Sequence, residues 1–228
     1  MKKVLIFGVT GSIGKYCYDS FNSKEYLVYG TTSKKDNENI SKNIILVANE
    51  NITNLLNIDN IDIIIWCQGS NINDNINSFD EKTFKEIIDV NLIFTIKTLN
   101  FLLKNKKINE NSKMVVLSSI WEKISKKNKL SYSVSKAALS GFIKSVSYEL
   151  SEYKILINNV LPGVIDNEMT KRTLSINELK NITEFNNFNR MVSLEDVFNT
   201  IYFLVVENTG ITGQSIVVDL GFSVIKKI

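Results

Sequence analysis

Histidine is absent from the 228 residues, and its absence removes much chemistry. No Ser-His-Asp triad, Cys-His dyad or histidine-rich metal site can form. Acid/base work near neutral pH falls to Tyr, Lys, Asp, Glu or Cys with displaced pKa values. Cysteine occurs only as Cys17 and Cys67, both in apolar surroundings. A disulfide framework is not expected, and a reducing cytoplasm fits. No apolar run reaches the roughly 18 residues of a membrane span. The apolar start Val4 to Phe7 is cut at once by Gly8, so no signal peptide is expected either. Neither sign of charge dominates: 27 basic residues face 24 acidic ones. That balance argues against nucleic acid and against an anionic membrane surface. The small basic cluster Lys126, Lys127 and Lys129 reads as a solvated loop.

What is present is ordinary for a globular protein: 44% hydrophobic and 22% charged residues. The length suits one α/β domain over residues 1–228, with a core that needs no staples or metals. Short apolar runs read as strands: Val4 to Phe7, Tyr26 to Tyr29, Ile44 to Val47, Ile61 to Trp66, Met114 to Leu117, Ile155 to Leu161 and Ser215 to Asp219. Helical spacing marks Lys15 to Phe21, Glu81 to Leu103, Tyr132 to Ser151 and Leu194 to Val205, with a short helix near Asn51 to Asn57. Strands that alternate with helices and are apolar on both faces predict a doubly wound α/β fold. Its mostly parallel sheet is expected to have seven strands, with helices on both faces. Residues about 167–190 find no place in the alternation and read as a substrate loop that closes over ligand.

Two constellations carry chemistry. Gly8, Gly11 and Gly14 lie between the first strand and the first helix, together with Thr10, Ser12 and Ile13. Glycine permits a tight turn and close approach to a phosphate, and the helix N-terminus supplies N–H donors. The second is Tyr132-Ser-Val-Ser-Lys136. Its Tyr and Lys lie one helical turn apart, where an ammonium would lower the phenol pKa. Ser118 and Ser119 end the strand before them, at the edge where ligands bind. Neighbours on a strand face opposite ways, so one serine reaches the substrate.

Taken in order and spacing, these motifs resemble the short-chain dehydrogenase/reductase family over nearly the whole chain. The resemblance extends to Asp89-Val-Asn91, Val115-Val-Leu-Ser-Ser119, the turn Pro162-Gly163-Val-Ile-Asp-Asn-Glu-Met169, and Ile211 to Asp219. It is strongest to single-domain members of the acyl-carrier-protein reductase type. It implies Tyr132 as proton donor or acceptor and Lys136 as its partner, which also binds the nicotinamide ribose. It implies Ser119 as the holder of the substrate oxygen, with Ser118 structural. Asn91 would support a proton-relay water. Gly69, Pro162, Gly163, Val164, Ile165 and Asn167 would contact the cofactor. The family's Asn-Asn-Ala-Gly after the fourth strand is here Trp66-Cys67-Gln68-Gly69, and Trp66 is expected in the core.

The implied activity is NAD(P)-dependent interconversion of a carbonyl and a secondary alcohol. The alternatives are a nucleotide-sugar epimerase or dehydratase, hinted at by the glycine spacing, and a non-catalytic dinucleotide-binding regulator. The first needs a larger C-terminal part, and the second predicts loss of Tyr132 or Lys136. NADP(H) is preferred over NAD(H). The second strand runs into Gly30-Thr31-Thr32-Ser33-Lys34-Lys35, with no carboxylate before Asp36. Thr32, Ser33 and Lys34 suit a 2′-phosphate, and Lys15 adds positive field. No metal is expected. The expected partners are a small carbonyl or alcohol substrate and further copies of the chain, as a homodimer or homotetramer.

Overall fold

The computed structural model describes residues 1–33, 43–167, 170, 183–184 and 188–224. Among them are β1 (Lys2–Phe7), α1 (Ser12–Asn22), β2 (Tyr26–Thr32), β3 (Ile44–Leu46), β4 (Ile61–Trp66), α2 (Glu81–Ile88), α3 (Phe94–Lys104), β5 (Ile108–Leu117), α4 (Leu130–Leu150), β6 (Leu156–Pro162), α5 (Leu194–Tyr202) and β7 (Ser215–Val218). The seven strands form one sheet in the order β3-β2-β1-β4-β5-β6-β7, and every pairing is parallel. The order reverses between β1 and β4. In open parallel sheets the crevice at such a reversal, beyond the carboxyl ends of the strands, is where ligands bind.

The unbroken apolar runs follow from burial on both faces. Along β1, Val4 and Ile6 join one core cluster and Leu5 and Phe7 the other. The first cluster packs under α1 and α5 through Cys17, Phe21, Val197, Phe198 and Ile201. The second packs under α3 and α4 through Leu99, Leu102, Leu139 and Ile143. Trp66 belongs to the second, as expected. It is fully buried, stacks on Phe7 at 5.6 Å between centroids, and donates its indole N–H to Thr98 Oγ1 at 2.9 Å.

Three element boundaries differ from the sequence reading. The stretch Glu81 to Leu103 is not one regular helix, because α2 and α3 are joined by a turn of π-helix over Asp89–Ile93. β5 begins at Ile108, six residues earlier than its apolar run suggests, and its register against β4 shifts between Ile61 and Ile63. β2 continues through Gly30, Thr31 and Thr32. Gly30 stays in the strand because Val9 and Tyr18 pack over it, leaving no room for a side chain.

The β1–α1 turn is built on close approach. Gly8 adopts φ +78°, and its N–H and that of Val9 both donate to Thr31 O, at 3.2 and 3.1 Å. Gly14, in the first turn of α1, packs directly against this turn, and a Cβ there would lie 2.2 Å from Gly8 O. Backbone cannot yield as a flexible side chain does. Gly14→Ala is therefore expected to cost about 1–3 kcal/mol of stability, read as a lower urea midpoint with unchanged slope. An unaltered midpoint would show that the turn is not so tight.

Beyond β6, Ile165 pairs in parallel with Val192. Most of the expected substrate loop, 167–190, lies outside the described residues, as do Lys34, Lys35 and Asp36. Among the described residues no helix is long and apolar enough to cross a membrane.

Candidate active site

The carboxyl ends of the strands open into one cavity of about 960 Å³. The glycine turn forms one end. Gly8, Thr10, Gly11, Ser12 and Ile13 line it, with Thr31 near the end of β2, Ser33 beyond it, and Val47, Ala48 and Asn49 beyond β3. A Cβ on Gly11 would meet only Gly8 O, at 3.5 Å, and would otherwise stand in open space over the N-terminus of α1. Helix N-terminal N–H groups beside such a space suit the phosphates of a dinucleotide. Cys67, Gln68 and Gly69 line the middle. Gln68 Nε2 donates to Thr95 Oγ1 at 2.8 Å, which ties the end of β4 to α3.

Ser119, Tyr132 and Lys136 converge at the other end. β5 delivers the serine, and α4 presents Tyr132 and Lys136 on one face. The start of α4 is pinned by Asp74, whose carboxylate accepts from the Ser131 N–H at 3.0 Å and from the Ser131 hydroxyl. Lys136 is buried, donates to Leu117 O at 2.8 Å, and holds its ammonium 5.7 Å from the Tyr132 ring centroid. Ser118, also at the cavity edge, turns its hydroxyl to Lys136 O at 3.4 Å. Ser119 Oγ accepts from the Trp121 N–H at 3.4 Å and lies close enough to Tyr132 to favour its phenolate.

Asn91 sits in the π-helical turn and is buried rather than exposed to the cavity. Its Oδ1 accepts from Ser70 N at 2.7 Å, and its Nδ2 donates to Ser70 O at 3.0 Å and to Ser135 Oγ at 2.8 Å. Ser135 Oγ in turn donates to Tyr132 O at 2.7 Å. A Cβ on Gly69 would lie 3.5 Å from Asn91 Oδ1 and 3.6 Å from Lys136 Nζ, so all three meet at one point.

Burial shapes the electrostatics. It pushes the Lys136 ammonium down to about 8, against the opposing pull of Glu122 and Cys67. It pushes the Tyr132 phenol up, and the nearby Ser119 hydroxyl only partly offsets this. The expectation that Lys136 brings Tyr132 below its ordinary value is thus corrected. Both groups have left water, which disfavours both charged forms. The Cys67 thiol is pushed well up by its hydrogen bond to Cys17 and by burial.

Of the residues expected to bind cofactor, Gly8, Thr10, Gly11, Ser12, Ile13, Ser33, Gly69, Tyr132, Lys136, Pro162, Gly163, Val164, Ile165 and Asn167 line the cavity. Gly14, Thr32 and Asn91 do not. Gly14 serves the turn, Asn91 braces α4, and strand alternation gives the lining position to Thr31 rather than Thr32. Lys34 lies outside the described residues. Gln68, Asp89, Trp121 and Lys129 line the cavity without having been singled out as contacts. Position beyond a strand's carboxyl end could have found Gln68. Trp121 and Lys129 lie in the stretch near Ile120 to Leu130, which the sequence offers for substrate choice, and no local pattern marks Asp89.

The family model described as Enoyl-(Acyl carrier protein) reductase matches residues 49–223. The 3-oxoacyl-(acyl-carrier-protein) reductase of Rickettsia typhi is 28% identical over 240 residues, covering 96% of each chain. The solved structure of ElxO with NADP bound superposes with a TM-score of 0.84 at 22% identity, covering 97% of this chain and 98% of that one. A 4-hydroxyisoleucine dehydrogenase complexed with NADH gives 0.85 at 24% identity, covering 99% and 100%.

Proposed function

This chain belongs to the short-chain dehydrogenase/reductase family, and from that premise we propose that it reduces a carbonyl with NADPH, using Tyr132 as the acid. At the coarser level it is an oxidoreductase that interconverts a carbonyl and an alcohol with a nicotinamide dinucleotide. The observation that carries the finer reading is the convergence of Ser119, Tyr132 and Lys136 at the end of the cavity opposite the glycine turn. The nicotinamide, when bound, supplies the hydride that adds to the carbonyl carbon. Tyr132 donates its hydroxyl proton to the carbonyl oxygen, which leaves a phenolate beside the Lys136 ammonium. Ser119 holds the same oxygen by a hydrogen bond. Lys136 would also hold the ribose of a bound cofactor and would pass a proton back to Tyr132 through a water beside Asn91. Asn91 fixes the turn of α4 that carries both groups.

Solved neighbours hold NADP in one case and NADH in another, so likeness alone leaves the cofactor open. The end of β2 supports NADPH. Ser33 lines the cavity there, and no carboxylate stands between Tyr26 and Lys35 to meet a ribose 2′-hydroxyl. Fluorescence titration is expected to show NADPH binding about 10-fold or more tighter than NADH, the scale of charge-assisted hydrogen bonds to one phosphate. The gap should shrink in high salt and reverse in Ser33→Asp. A panel of ketones, oxo esters and aldehydes with each cofactor then tests the reaction. Tighter NADH binding would reject the cofactor assignment. Bound NADPH with no carbonyl reduced across the panel would reject the reductase reading.

A further inference from the structure

Among the described residues, the charged side chains that line the cavity are mostly cationic. Three lysines line it, Lys126, Lys129 and Lys136, against one lining carboxylate among the described residues, Asp89. Asp89 lies at the β3 side of the cavity, where it accepts from Asn49 Nδ2 at 2.7 Å. The phosphates of a dinucleotide belong at the glycine turn. The positive charge at the Tyr132 end therefore has no cofactor phosphate to answer.

Lys129 is the residue that stands out. It lies three positions before Tyr132, half-buried, and its ammonium is 5.7 Å from the Tyr132 ring centroid, as Lys136's is. Its hydrogen-bond partner is neutral: Nζ donates to Asn71 Oδ1 at 2.8 Å. Asp74 is the nearby acid, but its carboxylate is already engaged by the Ser131 N–H and hydroxyl. Burial, then the neighbouring Lys126, push the Lys129 pKa down, as for an ammonium short of compensating negative charge. An ammonium partly removed from water and facing a ligand cavity gains most from an anion brought by that ligand.

We propose that Lys129 binds a carboxylate carried by the substrate, so that the enzyme prefers oxo acids, or the matching hydroxy acids, to neutral ketones and esters. This rests on the reading of Tyr132 as the proton donor. Because the Lys129 ammonium lies 5.7 Å from the centroid of the ring that carries the acid, the carboxylate lies within a few carbons of the carbonyl. Asn71 holds the ammonium in place until the substrate arrives and then shares it.

The test compares acetoacetate and levulinate with their methyl esters at saturating NADPH. The wild-type enzyme is expected to favour at least one acid over its ester in kcat/KM by about 10-fold or more, the worth of one charge-assisted hydrogen bond. Lys129→Met should collapse that ratio, mainly through the KM of the acid, and Lys129→Arg should keep most of it. A change acting only through Tyr132 or through the fold would lower acid and ester together and leave the ratio intact. Lys129→Gln is carried alongside in case the methionine variant fails to fold. Trp121 lines the cavity, so quenching of its fluorescence by levulinate reads binding without turnover. Binding that weakens about 10-fold or more in Lys129→Met would support the carboxylate site even without turnover, and the reductase reading would fall only if the carbonyl panel also went unreduced. Wild-type enzyme that reduces the esters at least as well as the acids, or a ratio that survives Lys129→Met, would overturn the proposal and leave the reductase reading standing. Neither turnover nor quenching by levulinate would also overturn it.

Discussion

Tyr132→Phe is expected to lower turnover by about 100-fold or more while NADPH still binds, the usual scale for losing a positioned acid. The substitution keeps the ring whose centroid lies 5.7 Å from both the Lys129 and the Lys136 ammonium and removes only the hydroxyl. The cofactor contacts proposed for Lys136 and the glycine turn do not involve the hydroxyl, so the loss should appear in kcat and not in the dissociation constant. The direction of the pKa shift adds a pH signature. Burial holds the Tyr132 proton on through neutral pH, which is the form needed to reduce a carbonyl. Reduction should therefore stay level across neutrality and decline only on the alkaline side. Alcohol oxidation needs the phenolate and should climb with pH over the same range. Steady-state rates in both directions, with NADPH affinity measured on the same preparations, check this. Near-normal turnover in Tyr132→Phe on a true substrate would remove Tyr132 from its role.

The fold was legible because its strands are apolar on both faces, and that pattern has few causes other than a covered parallel sheet. Strand alternation showed that one of the two serines faces the substrate, and the family resemblance picked Ser119: Ser118 turns to the α4 backbone and Ser119 lies toward Tyr132. Other features depend on contacts that no local window contains. Gly30-Thr31-Thr32 reads as a turn, yet Val9 and Tyr18 packing over Gly30 keep it in β2. The amide of Asn91 spans 44 residues of sequence to reach Ser135, so only the family resemblance pointed to it. Lys129 resembles a solvated loop lysine until the start of α4 folds it over Tyr132. The Tyr132–Lys136 spacing revealed the pair, but the direction of the phenol's shift depends on burial, which spacing does not report.

Lys136→Met is expected to move activity and stability in opposite directions. Lys136 is only 3% exposed, and its pKa falls from 10.5 to about 8 chiefly through burial. A lysine whose folded pKa lies below its unfolded one opposes folding while it is charged in both states. That cost, about 3 kcal/mol for this shift, is fully present below the folded value of about 8. It is relieved as pH climbs toward the unfolded value, because there the unfolded chain holds the extra proton. Methionine has similar length and no charge, so it escapes the cost, although Leu117 O loses its donor. The absolute gain is therefore trimmed, but the pH dependence is not. Between about pH 7 and about pH 10 the wild-type protein should gain about 2 kcal/mol on the variant in urea unfolding. Glu122 and Cys67, the charged or titrating groups that act on Lys136, are common to both proteins. Turnover of the variant should fall by about 100-fold or more at every pH, since the phenolate formed on proton transfer has lost its ammonium. Stability curves that run parallel across that window would mean that Lys136 titrates as an ordinary surface lysine, and the buried charge beside Tyr132 would have to be abandoned.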